Sequence, residues 1–82
     1  KTIPIEEEIH FLEDYLTLLQ ARFGSKLRWQ FELQEDCRQA EIPVMLLQPL
    51  LENAVKHGWQ EKINSFFIAI RCFRRDTKII IE

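Results

Sequence analysis

The chain has 82 residues, 46% hydrophobic and 29% charged, with a formal net charge of −2 at pH 7. That length allows one small domain at most, and this apolar content excludes a disordered chain. The balanced charge offers no basic surface for nucleic acid, and no apolar run approaches the ~20 residues of a membrane span.

The opening residues "KTIPIEEE" carry no signal-peptide pattern. The chain starts abruptly at Lys1 and stops within the apolar run "KIIIE", so a piece of a larger protein is expected. Ile5 to Phe23 reads as a helix. Ile5, Ile9, Leu12, Leu16, Leu19 and Phe23 recur at spacings of four and three, a heptad-like seam. Phe11, Tyr15 and Leu18 add a second stripe, which predicts packing on two neighbours. Glu6, Glu7 and Glu8 occupy the first turn, where the macrodipole favours anions. Arg22 lies in the last turn, and Gly24 is the expected stop.

"LRWQFEL" then alternates as a half-buried strand does: Leu27, Trp29, Phe31 and Leu33 toward a core, Arg28, Gln30 and Glu32 toward water. "QEDCRQAE" reads as a polar connector. A second helix is predicted from Ile42 to His57, with Pro43 in its first turn. Pro49 lacks an N–H and crowds the carbonyl four residues back, so a kink or a fresh helical start is expected near Gln48. "SFFIAIRCF" and "KIIIE", joined by "RRDT", predict an antiparallel hairpin. The class is α+β. Cys37 and Cys72 are lone thiols without metal-ligand spacing, expected to be buried and inert in a reducing compartment. There is no internal repeat, no local Ser/His/Asp or Cys/His signature and no zinc pattern.

Chemistry concentrates in "LLQPLLENAVKHG", Leu46 to Gly58. At ~100° per residue, Leu47, Leu50, Leu51, Ala54 and Val55 fall on one side, which predicts packing on a sheet. Asn53 and His57 lie one turn apart along the edge of that face. Lys56 lies further round, adjacent to both, and Glu52 points away from the core. An amide oxygen suits Mg²⁺, a hard ion that keeps several waters. A lysine offers phosphate a mobile positive charge. A plain helix end accounts for the same residues. Glu52 and Lys56 form an i, i+4 pair worth a few tenths of a kcal/mol, Lys56 and His57 suit a helix C-terminus, and Gly58 stops the helix. On residue chemistry alone this plain reading weighs more, because short motifs recur by chance.

"IPVMLLQPLLENAVKHG" resembles the N-box of sensor histidine kinases, in the form used by the LytS-type branch. Upstream, "IPIEEEIHFLEDYLTLLQARFGSKLRWQFEL" resembles the same branch, so the match covers residues 3–58 in the right order. The hairpin carries no diagnostic motif. The resemblance implies a partial Bergerat-type α/β sandwich: helix, strand, N-box helix and hairpin, truncated before the remaining sheet and the ATP lid. It implies that residues 1–24 are an acidic linker helix entering the catalytic domain, and that residues 25–82 are the first part of that domain. It implies autophosphorylation of a histidine from ATP and Mg²⁺, then transfer to an aspartate of a response regulator. Carried over by residue, Asn53 chelates Mg²⁺, Lys56 approaches the phosphates and His57 lines the nucleotide site. Glu52 belongs to the motif but takes a lesser role, because helix geometry turns it outward. The implied setting is a homodimer in the cytoplasmic part of an inner-membrane sensor, which reaches the membrane only through other segments.

Several positions depart from the pattern. Many sensor kinases have a second Asn, and related ATPases a Glu general base, four residues before the chelating Asn. Here that position is Pro49, which argues against hydrolysis by a carboxylate-activated water. The adenine-reading Asp and the glycine-rich lid are expected after "KIIIE", so the chain by itself is expected to be inactive. "HFL" at His10 resembles part of the branch's "PHFLFN". However, no Pro precedes it and Glu13 replaces the next Phe, so the phosphoacceptor is expected upstream of Lys1. Two alternatives remain: an anti-sigma-type serine kinase, whose N-box is similar but which would lack the acidic helix with "ARFG", and a non-catalytic helical module that dimerises through Ile5–Phe23.

Overall fold

The computed structural model describes residues 1–60 and 65–82. In chain order they form β1 (Thr2–Pro4), α1 (Ile5–Phe23), β2 (Leu27–Leu33), β3 (Glu41–Pro43), α2 (Gln48–Gln60), β4 (Phe66–Arg75) and β5 (Lys78–Ile81), with 3-10 turns at Gly24–Lys26 and Glu35–Cys37. β2 runs parallel to β4, from Leu27 opposite Phe66 to Leu33 opposite Cys72. β5 returns antiparallel along β4, with Cys72 opposite Ile81. The order β2-β4-β5 leaves β2 and β5 as edges, and β1 and β3 form a separate two-stranded ribbon. Parallel neighbours need a long crossover, and here that crossover carries β3 and α2. The result is a small α+β sandwich with helices on one face of a mixed sheet.

The seam of α1 meets the core as its spacing predicts. Ile5, Ile9, Leu12 and Leu16 are buried with Leu27, Cys37, Ile42, Leu47, Leu51, Val55 and Cys72, and Leu19 and Phe23 pack at the margin. Each fully buried Leu or Ile contributes about 1.5–3 kcal/mol. This core is continuous across residue 24. The second stripe is not covered: Phe11 is 55% and Leu18 76% exposed, while Tyr15 is half-buried. The chain's own core thus takes up Ile5, Ile9, Leu12 and Leu16 of the seam, and the face that α1 leaves open is its second stripe. α1 ends at Gly24, whose φ of 63° is open to glycine and whose N–H donates to the Gln20 carbonyl. The Gln20 side-chain amide then donates to the Leu27 carbonyl at 2.9 Å, tying the helix to β2.

β2 alternates as expected, with Leu27 buried, Trp29, Phe31 and Leu33 half-buried, and Arg28, Gln30 and Glu32 exposed. The hairpin is also present, with a shorter turn than "RRDT", since only Asp76 and Thr77 separate β4 from β5. Asp76 takes a φ of 58°, a conformation that Asp tolerates better than most side chains.

The second helix differs from its predicted span. It starts at Gln48 rather than Ile42. Ile42 and Pro43 are in β3, opposite Ile3 and Thr2 of β1, and the Val44 N–H donates to the Lys1 carbonyl at 3.2 Å. Pairing with the N-terminal segment claims these residues before a helix can use them. The fresh start expected near Gln48 is present. Pro49 is its second residue, where a missing N–H removes only an unpaired donor. α2 continues through Gly58 to Gln60, so Gly58 does not stop it; Gly24 is the described glycine with positive φ. The stretch "GWQEKIN", which follows His57 in the sequence, lies partly outside the described residues.

The two thiols are neighbours across the fold. The polar connector contains the turn Glu35–Cys37, which buries Cys37 against β4. Burial first, then a hydrogen bond with the Cys37 thiol, push the Cys72 thiol up to about 11. Both are free and buried, and a thiol so far above neutral pH stays protonated and unreactive.

Candidate functional site

α2 presents a narrow apolar row to the core. Leu47, Leu51 and Val55, four residues apart, are buried. Leu50 and Ala54, expected on the same packed face, are not: Leu50 is 65% exposed and Ala54 is exposed. Leu46, Leu50 and Ala54 instead line an open apolar cleft with Ile68, Ile70 and Ile81.

Beside that cleft, Asn53, Lys56 and His57 line one shallow hollow together with Leu50 and Ala54. The three polar side chains are exposed. Their convergence follows from helix spacing, since residues three and four apart share a flank. The hollow thus combines an amide, an ammonium and an imidazole on a partly apolar floor. Glu52 lies outside it. Its carboxylate accepts from the Gln48 side-chain amide at 3.2 Å, one turn back. Glu52 also acts on Tyr15 of α1, whose phenol is raised by burial and then by this carboxylate's charge. So Glu52 lies on the side of Tyr15 and α1 and does not line the hollow. His10 is exposed on α1, with Nε2 4.0 Å from Asp14 Oδ2.

The residue that the sequence reading missed is Glu8. Grouped with Glu6 and Glu7 it looked like a simple dipole partner. It is 3% exposed. Its Oε1 accepts the Met45 N–H at 2.8 Å and its Oε2 the Leu47 N–H at 2.5 Å, in the turn that leads into α2. A signal was available, because Glu8 stands three residues after Ile5 and four before Leu12, inside the apolar seam. Nearby contacts fasten the same region. The Ile5 N–H donates to the Ala40 carbonyl at 2.8 Å and the Glu6 N–H to the Arg38 carbonyl at 3.1 Å. The Arg38 guanidinium bridges Glu6 and Glu35, each at 2.9 Å. The first turn of α1 therefore holds most of the segment from Arg38 to Leu47.

Among the described residues there is no cluster of three His, Cys, Asp or Glu able to hold a metal, and no helix long and apolar enough to cross a membrane. No family model matches the chain. The chain is similar to the Sensor protein kinase HptS of Staphylococcus aureus, at 30% identity over 80 residues in strain USA300 and equally in strain NCTC 8325. The match takes in 98% of this chain and 15% of the relative. The similarity to these sensor protein kinases runs over nearly all of the chain's residues, and the chain spans about 15% of the length of those relatives.

Proposed function

We propose that this chain is the N-box part of the ATP-binding domain of a LytS-type sensor histidine kinase, built as a Bergerat-type sandwich. The observation that carries the reading is the shared hollow of Asn53, Lys56 and His57 on one flank of α2. The relationship to a sensor kinase supports it independently. In this reading α1 leads into the domain and also supplies part of its core, and residues 25–82 carry the nucleotide-facing elements.

The donor set fits Mg²⁺-bound ATP. Mg²⁺ usually takes one or two protein oxygens, substrate phosphates and waters, and Asn53 Oδ1 supplies one such oxygen. When bound, the ion neutralises charge on the phosphates as the γ-phosphoryl group leaves. Lys56 Nζ offers a charge-assisted hydrogen bond to a phosphate oxygen, and His57 closes the same flank. Glu52, turned toward Tyr15, acts at most on the position of α2. Pro49 leaves no carboxylate one turn before Asn53 to activate water, which favours transfer to a protein group over hydrolysis. The phosphoacceptor histidine lies outside this chain, and the next acceptor is an aspartate of a response regulator. The whole protein is a homodimer whose catalytic part is cytoplasmic and whose membrane attachment lies in other segments.

The test is labelling of the whole protein with γ-labelled ATP and Mg²⁺. The expected label is acid-labile and base-stable, as on histidine, and it passes to a response regulator. An acid-stable phosphoserine would instead favour the anti-sigma-type serine kinase. A second reading, dimerisation through α1, is favoured by the exposure of Phe11 and Leu18 on one stripe.

A further inference from the structure

α2 lacks a cap of its own. The Leu51 N–H donates to the Leu47 carbonyl at 3.0 Å, which makes Leu47 the residue at the helix start. A leucine side chain accepts no hydrogen bond, whereas Ser, Thr, Asp or Asn at this place would satisfy a free N–H. Met45, two residues earlier, has a φ of 64°, unusual for any residue but glycine. Successive N–H groups around such a residue form a nest that attracts an anion, and the positive end of the helix dipole adds to it. The anion here is Glu8, brought from α1 and 3% exposed, with both carboxylate oxygens on the Met45 and Leu47 N–H groups.

We infer that Glu8 is a positioning residue for the nucleotide site: it caps α2 from a separate helix and so fixes where Asn53, Lys56 and His57 stand. The inference rests on the nucleotide reading of α2. Asn53 lies six residues beyond Leu47, ~9 Å along the axis at 1.5 Å per residue. A slip or tilt at the helix start is carried directly to it. Misplacement of about 1 Å can cost on the order of a hundredfold in rate. The same contact makes the site sensitive to the pose of α1, since one carboxylate belongs to α1 while its two donors belong to the approach to α2.

The test compares Glu8→Gln with wild type in the whole protein, with Glu7→Gln, an exposed neighbour, as control. Gln keeps the size of Glu but presents an NH₂ to one of the two N–H donors. Two quantities are read well below the melting temperature: the ATP KM against kcat, and amide hydrogen exchange. A purely structural residue lowers the folded fraction, and hence the apparent kcat, and leaves the KM of the folded molecules alone. Positioning by Glu8 predicts that, with the folded fraction unchanged, the ATP KM rises or kcat per folded molecule falls by roughly tenfold or more. It also predicts faster exchange at Met45, Leu47 and the first turn of α2, with β2 and β4 amides unchanged and Glu7→Gln silent. An unchanged KM and an unchanged kcat per folded molecule, with only a lower melting temperature, overturn it. If wild type uses no ATP, the nucleotide reading fails and exchange alone decides: acceleration confined to residues 45–51 upholds the hold of Glu8 on α2, and uniform or absent acceleration overturns it.

Discussion

Asn53 and His57 stand one helical turn apart on α2 and line the same hollow, with Lys56 beside both. All three are exposed, and the floor beneath them is limited to Leu50 and Ala54. Sites for small molecules bury about 70–90% of their ligand, which so open a hollow cannot do. The isolated 82-residue chain is therefore expected to show no ATP affinity at sub-millimolar nucleotide. Calorimetry that finds a micromolar, Mg²⁺-dependent dissociation constant contradicts this.

The Cys37–Cys72 pair makes stability depend on alkaline pH. Burial and the neighbouring thiol push Cys72 up to about 11, from an ordinary 9.0. Below pH ~9 the thiol is protonated in both the folded and the unfolded chain, and titration adds no difference. Between ~9 and ~11 the unfolded chain loses the proton while the folded one keeps it, so stability falls as pH rises. The melting temperature of wild type should drop faster across this window than that of Cys72→Val. Parallel slopes would show that the pair has no part in it.

Self-association is expected for the isolated chain, by two separable routes. Phe11 and Leu18 stand open on α1, and β5 is an edge strand with unpaired backbone groups along one side. At ~25 cal/mol per Å², a few hundred Å² of bare apolar surface is worth several kcal/mol. Equilibrium sedimentation at tens of micromolar should show a dimer or larger species. Phe11→Glu with Leu18→Glu should dissociate a helix-mediated dimer, and Ile80→Pro an edge-mediated one. Leu12 and Leu16 are unsuitable probes because both are fully buried. A well-folded wild-type monomer would refute the expectation.

What the sequence disclosed follows from how local each signal is. α1 and β2 have the predicted limits, because a six-member apolar seam or strict alternation needs only its own residues to be read. β3 reads locally as the start of a helix, because Ile42 and Pro43 are claimed by Ile3 and Thr2 about forty residues earlier, a pairing with no local trace. The parallel register of β2 on β4 is hidden for the same reason. At the site, helix spacing alone placed Asn53, Lys56 and His57 together and turned Glu52 away. It failed for Leu50 and Ala54, which border an open cleft, since how closely a neighbour packs on a helix face is not written in that helix. Glu8 was obscured by its two acidic neighbours, although its position in the apolar seam marked it as buried.

The central claim is that Asn53 serves Mg²⁺-bound ATP, and Asn53→Asp in the whole protein tests it most directly. Asn53 is exposed, so the substitution should change stability by no more than about 0.5 kcal/mol. The new carboxylate adds negative charge beside the phosphates and alters the ligand offered to Mg²⁺. The measurement is autophosphorylation from labelled ATP, with a thermal melt of the same sample. The account predicts an unchanged melt and no label. Wild-type labelling in the Asn53→Asp variant would contradict it and remove Asn53 from the site.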